Sequence, residues 1–299
     1  MSERERIIGT RGSKLALWQA GWVKERLEAA HPGLACRLEK ITTKGDKMLD
    51  VALAKVGGKG LFVKEIEEAL LAGQIDLAVH SMKDVPTELP AGLAIASMSV
   101  REDPRDVVVS RTGVPLTALP HGAVVGTSSL RRRVQLKHLR GDLELKTLRG
   151  NVDTRLRKLE EEGLDAIVLA AAGMKRLGVA HRIVEYLEPE VMLPAVGQGV
   201  LGIETRIDDG GVNGVVATLN DDLTHRTVLG ERAFLKRLEG GCQVPLGCFG
   251  RMEAGRLILR GMVGHPRGKP IFFGERAGPL EEAVAMGEAL AEELLAQGA

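Results

Sequence analysis

Residues 123–139 read AVVGTSSLRRRVQLKHL. A short apolar run, Ala123 to Gly126, has the length and composition of a buried strand. It runs into Thr127-Ser128-Ser129 and then into a helix-like stretch from Leu130 to Leu139. The same strand, small-residue turn and helix occur upstream. Ile7-Ile8-Gly9 ends a strand, Ser13 is placed to cap a helix, and Leu15, Trp18 and Trp22 fall at helical spacing before His31-Pro32-Gly33 stops it. A strand over 34–42 follows. Downstream, residues 143–148 are strand-like, Asn151 is placed to cap a helix carrying Leu156 and Leu159, and Gly163 ends it before a strand over 165–169. This repetition predicts α/β layers rather than a helical bundle or a β-sandwich.

At 299 residues the chain exceeds one hydrophobic core. The charged, proline-containing segment Arg101-Glu102-Asp103-Pro104-Arg105 marks a domain boundary, and a second crossing falls near 193–199. The expected domains are therefore residues 1–100 with 199–218, residues 105–194, and residues 222–299. In the last, a helix over 224–238, a glycine loop, two strand-like runs joined through residues 264–268 and a final helix from Pro279 predict a small α+β domain. The net charge is +1, so no global field favours nucleic acid or an anionic membrane. The polar stretch 1–6, the lack of an apolar run of about 18 residues and the sparse cysteines (Cys36, Cys242, Cys248) lead us to expect a cytoplasmic chain with no membrane partner.

The arginines point to anions. Arg131, Arg132 and Arg133 sit in a first helical turn, where the macrodipole disfavours cations and implies a compensating negative group. The hydroxyls of Thr127, Ser128 and Ser129 and the free N–H groups there face the same point. Arg149 and Arg155 flank the next strand-to-helix turn, Arg11 the first, and Arg176 follows the strand ending in Ala170-Ala171-Ala172-Gly173. Any single arginine has an alternative, a solvated face paired with Glu160, Glu161 or Glu162. Repeated placement at strand ends favours a ligand with several carboxylates or phosphates, which a guanidinium binds bidentately.

Residues 75–80 form a buried strand ending in the turn Ser81-Met82-Lys83-Asp84-Val85-Pro86. Asp84 is placed either for acid–base or charge-stabilising work or, as a turn aspartate, to bond its own backbone. His80 is assigned to the strand rather than to a ligand. Residues 44–60, which contain Lys55 and Lys59, have the glycine content of a lid but lack the Ser or Thr of a phosphate loop. Gly197-Gln198-Gly199-Val200-Leu201-Gly202 matches the dinucleotide string, yet the stretch 203–211 is too short and glycine-ended to open the required helix, so a domain crossing is preferred. Cys242, between Gly241 and Gln243, lies just past a predicted helix C-terminus. That setting disfavours a thiolate and suits an attachment point better than a nucleophile, the alternative being an inert buried thiol. No cysteine spacing suits a metal.

Taken in order, Gly9-Thr10-Arg11-Gly12-Ser13-Lys14-Leu15-Ala16, Lys59-Gly60-Leu61-Phe62-Val63-Lys64-Glu65, Val79-His80-Ser81-Met82-Lys83-Asp84-Val85-Pro86 and Arg101-Glu102-Asp103-Pro104-Arg105-Asp106 resemble the porphobilinogen deaminase family. So do Val125-Gly126-Thr127-Ser128-Ser129-Leu130-Arg131-Arg132, Leu148-Arg149-Gly150-Asn151, Leu193-Pro194-Ala195-Val196-Gly197-Gln198-Gly199 and Leu238-Glu239-Gly240-Gly241-Cys242. The resemblance implies two periplasmic-binding-protein-like α/β domains and a small α+β third domain. It implies a transferase that joins four porphobilinogen molecules head to tail, with loss of ammonia, into hydroxymethylbilane for tetrapyrrole biosynthesis. A dipyrromethane primer is then a thioether on Cys242, and Asp84 is the catalytic carboxylate. Carboxylate contacts fall to Arg11, Ser13, Ser81, Lys83, Thr127, Ser128, Ser129, Arg131, Arg132, Arg149, Gly150, Arg155, Arg176 and Gln198, with Lys55, Lys59 and Phe62 on the lid. By the same analogy the chain is a monomer. After Gly247 the motifs stop, and neither Arg133 nor Cys248 receives a role.

The rivals are a non-catalytic two-lobed binding protein for a polycarboxylate, which has no use for Cys242, and a nicotinamide-dependent dehydrogenase resting only on the glycine string.

Overall fold

In the computed structural model, residues 5–43, 63–238, 244–265 and 268–299 are described. The chain forms β1 (Arg6–Thr10), α1 (Lys14–Ala30), β2 (Cys36–Lys40), α2 (Lys64–Leu71), β3 (Leu77–Ser81) and β4 (Leu93–Met98). Next come β5 (Asp106–Ser110), β6 (Val124–Gly126), α3 (Leu130–Leu139), β7 (Glu144–Lys146), α4 (Val152–Glu161), β8 (Ala166–Ala170), α5 (Ala171–Arg176) and β9 (Glu185–Leu187). Then follow β10 (Leu201–Arg206), α6 (Gly210–Val216), α7 (Asp222–Arg237), β11 (Leu246–Glu253), β12 (Arg256–Gly264), β13 (Ile271–Gly278) and α8 (Ala283–Ala296). Two compact units result: Met1–Glu102 with Val200–His225, and Asp103–Gly199 with Arg226–Ala299.

The first unit holds a five-stranded sheet ordered β2-β1-β3-β10-β4, the second one ordered β7-β6-β8-β5-β9. The two orders are equivalent. In each, three parallel strands are followed by one antiparallel strand, β10 or β5, and then an outer strand. That antiparallel strand is in both cases the first one laid down after the chain crosses between units. The glycine string 197–202 therefore leads into strand β10 and opens no helix.

Local chemistry accounts for the helices. Ser13 and Asn151 each accept a hydrogen bond from a first-turn N–H of α1 and α4 (3.2 and 2.9 Å), as their positions predict, and Ser129 does the same for α3 (3.4 Å). On α1 the buried face is Ala20, Val23 and Leu27, packed on Ile8, Leu77, Val79, Leu201 and Ile203; Trp18 is exposed. Each fully buried Val or Leu there contributes about 1.5–3 kcal/mol. Two expectations need correction. Ala171-Ala172-Gly173 is helical, so Arg176 closes α5 rather than following a strand directly. The last region has three strands, β11-β12-β13, because residues 246–253 also pair antiparallel.

This small third domain packs α7 and α8 against its sheet through Phe234, Leu257, Leu259, Leu290 and Leu294, with Cys248 in the same core. The helices touch at Gly230 and Gly287. A Cβ at Gly287 would lie 2.1 Å from the Gly230 carbonyl oxygen, so only hydrogen fits. The two α/β domains and the smaller third are thus all present.

Candidate active site

In the first unit, β1 ends at Thr10, whose Oγ1 donates to the Ala16 carbonyl (3.1 Å) and fixes the turn that carries half-buried Arg11. Ser13 Oγ is engaged as the α1 cap. Strand β3 ends at Ser81, whose Oγ accepts from Gln19 Nε2 (2.9 Å). A single 3-10 turn, Met82–Asp84, follows and is closed by the main chain, Val85 N–H donating to the Met82 carbonyl (3.2 Å). The Asp84 side chain is exposed.

His80 is confirmed as a core strand residue. Its Nε2 lies 2.9 Å from Glu204 Oε2, and both residues are buried. Nearby, burial and then the Glu204 carboxylate push Glu67 up to about 7, with His80 opposing.

In the second unit the anion compensating the α3 arginines is in part internal. Asp106, the first residue of β5, is 0 % exposed. Its Oδ2 lies 2.7 Å from Arg131 Nη2, and its Oδ1 accepts from Arg132 Nη2 (2.8 Å) and Gln198 Nε2 (2.9 Å). Burial opposes the charge on Asp106, yet Arg131 and Arg132 together hold its carboxyl well below the usual carboxylate range. Arg131 Nη1 also donates to the Leu193 carbonyl (2.5 Å) and Arg132 Nη1 to the Val168 carbonyl (2.8 Å). Two guanidinium groups against one carboxylate leave one positive charge in excess. Arg132 Nε is buried without a hydrogen-bond acceptor.

The other expected residues of this unit lie in the turns after β6 and β7, on α4, at the end of α5 and in the crossing segment. Thr127 is buried, its Oγ1 accepting from Ser129 N–H (3.3 Å), and Ser128 Oγ donates to the Leu148 carbonyl. Gly150 has φ +111°, and a Cβ there would lie 2.6 Å from Thr154 Cγ2, so the turn after β7 requires glycine. Arg155 Nε donates to the Gly150 carbonyl (2.8 Å), Arg176 Nη2 to the Gly199 carbonyl (2.7 Å), and Arg149 is half-buried. Arg133, without a role from sequence, ties α3 to β7 through the Leu145 carbonyl (3.1 Å). Lys55, Lys59, Phe62 and Cys242 lie outside the described residues.

Sequence reading missed Asp106 and Glu231. Glu231 on α7 is 0 % exposed and accepts from Gly197 N–H (2.7 Å) and Gly250 N–H (2.9 Å). The signal for Asp106 was present in Asp103-Pro104-Arg105-Asp106-Val107, an acid directly preceding an apolar strand.

Residues 7–213 match the family model described as porphobilinogen deaminase, dipyromethane cofactor binding domain, and residues 225–296 match its C-terminal domain. The chain belongs to the porphobilinogen deaminase family. It is 56 % identical over 299 residues to the porphobilinogen deaminase of Syntrophotalea carbinolica, covering 100 % of this chain and 95 % of that one. It is 54 % identical over 298 residues to that of Pelobacter propionicus, covering 100 % and 96 %. Among solved structures, a TRAP periplasmic solute binding protein from Desulfovibrio salexigens aligns with a TM-score of 0.43 at 13 % identity, over 73 % of each chain.

Membership in a deaminase family sets aside the dehydrogenase and the non-catalytic binding protein. The residues fit the family's cofactor. Each pyrrole ring of a dipyrromethane bears an acetate and a propionate, and the second unit offers an excess guanidinium charge beside hydroxyls and a capped helix N-terminus. Among the described residues no helix is long and apolar enough to cross a membrane.

Proposed function

We propose that this chain condenses four porphobilinogen molecules head to tail into hydroxymethylbilane, releasing ammonia at each addition, on a dipyrromethane primer held as a thioether by Cys242. The bound primer supplies a free pyrrole α-carbon as the growing end. With the primer bound, porphobilinogen would lose its aminomethyl nitrogen as ammonia, and the new C–C bond would be made to that α-carbon in exchange for its proton. Positive charge develops on the pyrrole system as the amine departs, and the exposed Asp84 carboxylate stabilises it and holds pyrrole N–H groups. Arg131 and Arg132, with Arg11, Ser13, Ser81, Lys83, Thr127, Ser128, Ser129, Arg149, Gly150, Arg155, Arg176 and Gln198, bind the acetate and propionate groups. Lys55, Lys59 and Phe62 belong to the covering segment.

In this reading residues 1–100 with 199–218 carry Asp84 and Arg11, residues 105–194 carry the other arginines, and residues 222–299 carry the primer cysteine. The chain works as a cytoplasmic monomer, which sedimentation at the 32.1 kDa chain mass would check. What supports the reading most is the buried arginine pair with its excess positive charge, on a chain matched over its length by the family. Asp84→Asn tests it. The variant should keep its primer and melting temperature while ammonia release falls by at least about 10²-fold, the order seen when a charge-stabilising group is removed. Near-normal turnover would remove Asp84 from the mechanism.

A further inference from the structure

Asp106 belongs to none of the ligand-binding sets above, yet it touches three of their members at once. Its carboxylate bridges Arg131 (2.7 Å) and Arg132 (2.8 Å) and accepts from Gln198 (2.9 Å), with no exposure to solvent. Each guanidinium is held at two points, Arg131 by its ion pair with the carboxylate and a hydrogen bond to the Leu193 carbonyl, Arg132 by hydrogen bonds to the carboxylate and to the Val168 carbonyl. Two anchors fix the plane of a guanidinium fork and so fix where its remaining N–H groups point. The anchors come from three separate places in the chain: the start of β5, strand β8 and the crossing segment. Such convergence is more than a helix needs to tolerate arginine in its first turn.

We propose that Asp106 is a positioning residue for the reaction, orienting Arg131 and Arg132 toward primer carboxylates and lowering their joint charge from two to one. It touches neither primer nor substrate and acts through the two arginines. A bare pair of adjacent guanidinium groups would bind any small anion; the bridged pair presents one charge in a set geometry, which selects a carboxylate arriving from a fixed direction. The inference rests on the assignment of both arginines to carboxylate binding.

A purely structural counter-ion needs only its charge, whereas a positioning residue also needs its length. Asp106→Glu separates the two, with Asp106→Asn as the second variant. Purified variants, before and after incubation with porphobilinogen, are compared by intact mass for the primed fraction, by thermal melting, and by the KM and kcat of ammonia release. Asp106→Glu should melt close to the wild type but show a primed fraction reduced about tenfold or more, with KM raised more than kcat is lowered, the scale of one misdirected charge-assisted hydrogen bond. Asp106→Asn should lose both melting temperature and primer. A folded Asp106→Glu with full primer and unchanged KM overturns the proposal. Failure of Asp106→Glu to fold also overturns it, because the carboxylate then serves the fold alone. A wild-type chain that takes up no primer from porphobilinogen refutes instead the primer reading on which the proposal rests.

Discussion

Replacing Glu231 by leucine keeps the side-chain volume roughly constant and removes the acceptor shared by two backbone N–H groups, those of Gly197 and Gly250. Glu231 is wholly buried, so no water replaces it. Each orphaned donor costs about 1–3 kcal/mol, and the hydrogen bonds being lost are charge-assisted. Relief from burying a carboxylate offsets part of this, leaving a net loss of about 2–4 kcal/mol. At roughly 2–4 °C per kcal/mol for a chain of this size class, the melting temperature should fall by about 5–15 °C. Glu231 lies on α7 and Gly250 on β11, the two elements that flank the segment carrying Cys242. The assay is differential scanning calorimetry of wild type, Glu231→Leu and Glu231→Gln, each checked for primer by mass. Glutamine keeps one acceptor and should fall about halfway. A Glu231→Leu melting temperature within about 2 °C of the wild type would refute the idea that these two bonds hold α7, β11 and the crossing segment together.

Two further perturbations concern packing and electrostatics. Glu67 has its folded pKa raised to about 7 from 4.5, so its contribution to stability is fully present below 4.5 and is lost as pH rises through about 7. Glu67→Gln should therefore raise the melting temperature at pH 8 relative to wild type and change it little at pH 4.5; an equal shift at both would remove burial of that carboxyl as the cause. Gly287→Ala forces a methyl against the Gly230 carbonyl, a backbone group that cannot rotate away. It should destabilise the third domain by about 1–3 kcal/mol, visible as a lower denaturant midpoint, and an unchanged midpoint would contradict the tight crossing of α7 and α8.

Much of the local structure was legible because caps and turns are written in single residues. Ser13 and Asn151 announce two helix starts, and each makes its bond. Sheet order was not legible, since β5 and β10 pair with strands far away in sequence, and nothing local states that they run antiparallel. Strand β11 was overlooked because Gly247 and Gly250 break its apolar pattern. Both are needed for close approach: a Cβ would lie 3.0 Å from the Pro194 carbonyl oxygen at one and 2.4 Å from Thr227 Cγ2 at the other. The alanines after β8 extend its apolar run, and their helical propensity decided the local structure.

The arginine cluster was found as charge, but its geometry was not. A first-turn Arg-Arg pair demands an anion, and sequence alone supplied only an external candidate. The internal one sits at the end of Arg101-Glu102-Asp103-Pro104-Arg105-Asp106, which as text is a solvated linker. Some of these charges do behave that way in part: Asp103 pairs with Arg105 and Lys175, and Arg105 also reaches Glu188. Only the insertion of β5 between β8 and β9 carries Asp106 into the interior.

The central claim is a covalent primer on one cysteine, and intact mass tests it most directly. Purified protein should exceed its sequence mass by one two-pyrrole unit, and Cys242→Ser should show the bare chain mass with or without porphobilinogen. An unmodified wild-type mass that persists after incubation with porphobilinogen would contradict the account, as would an adduct that survives Cys242→Ser.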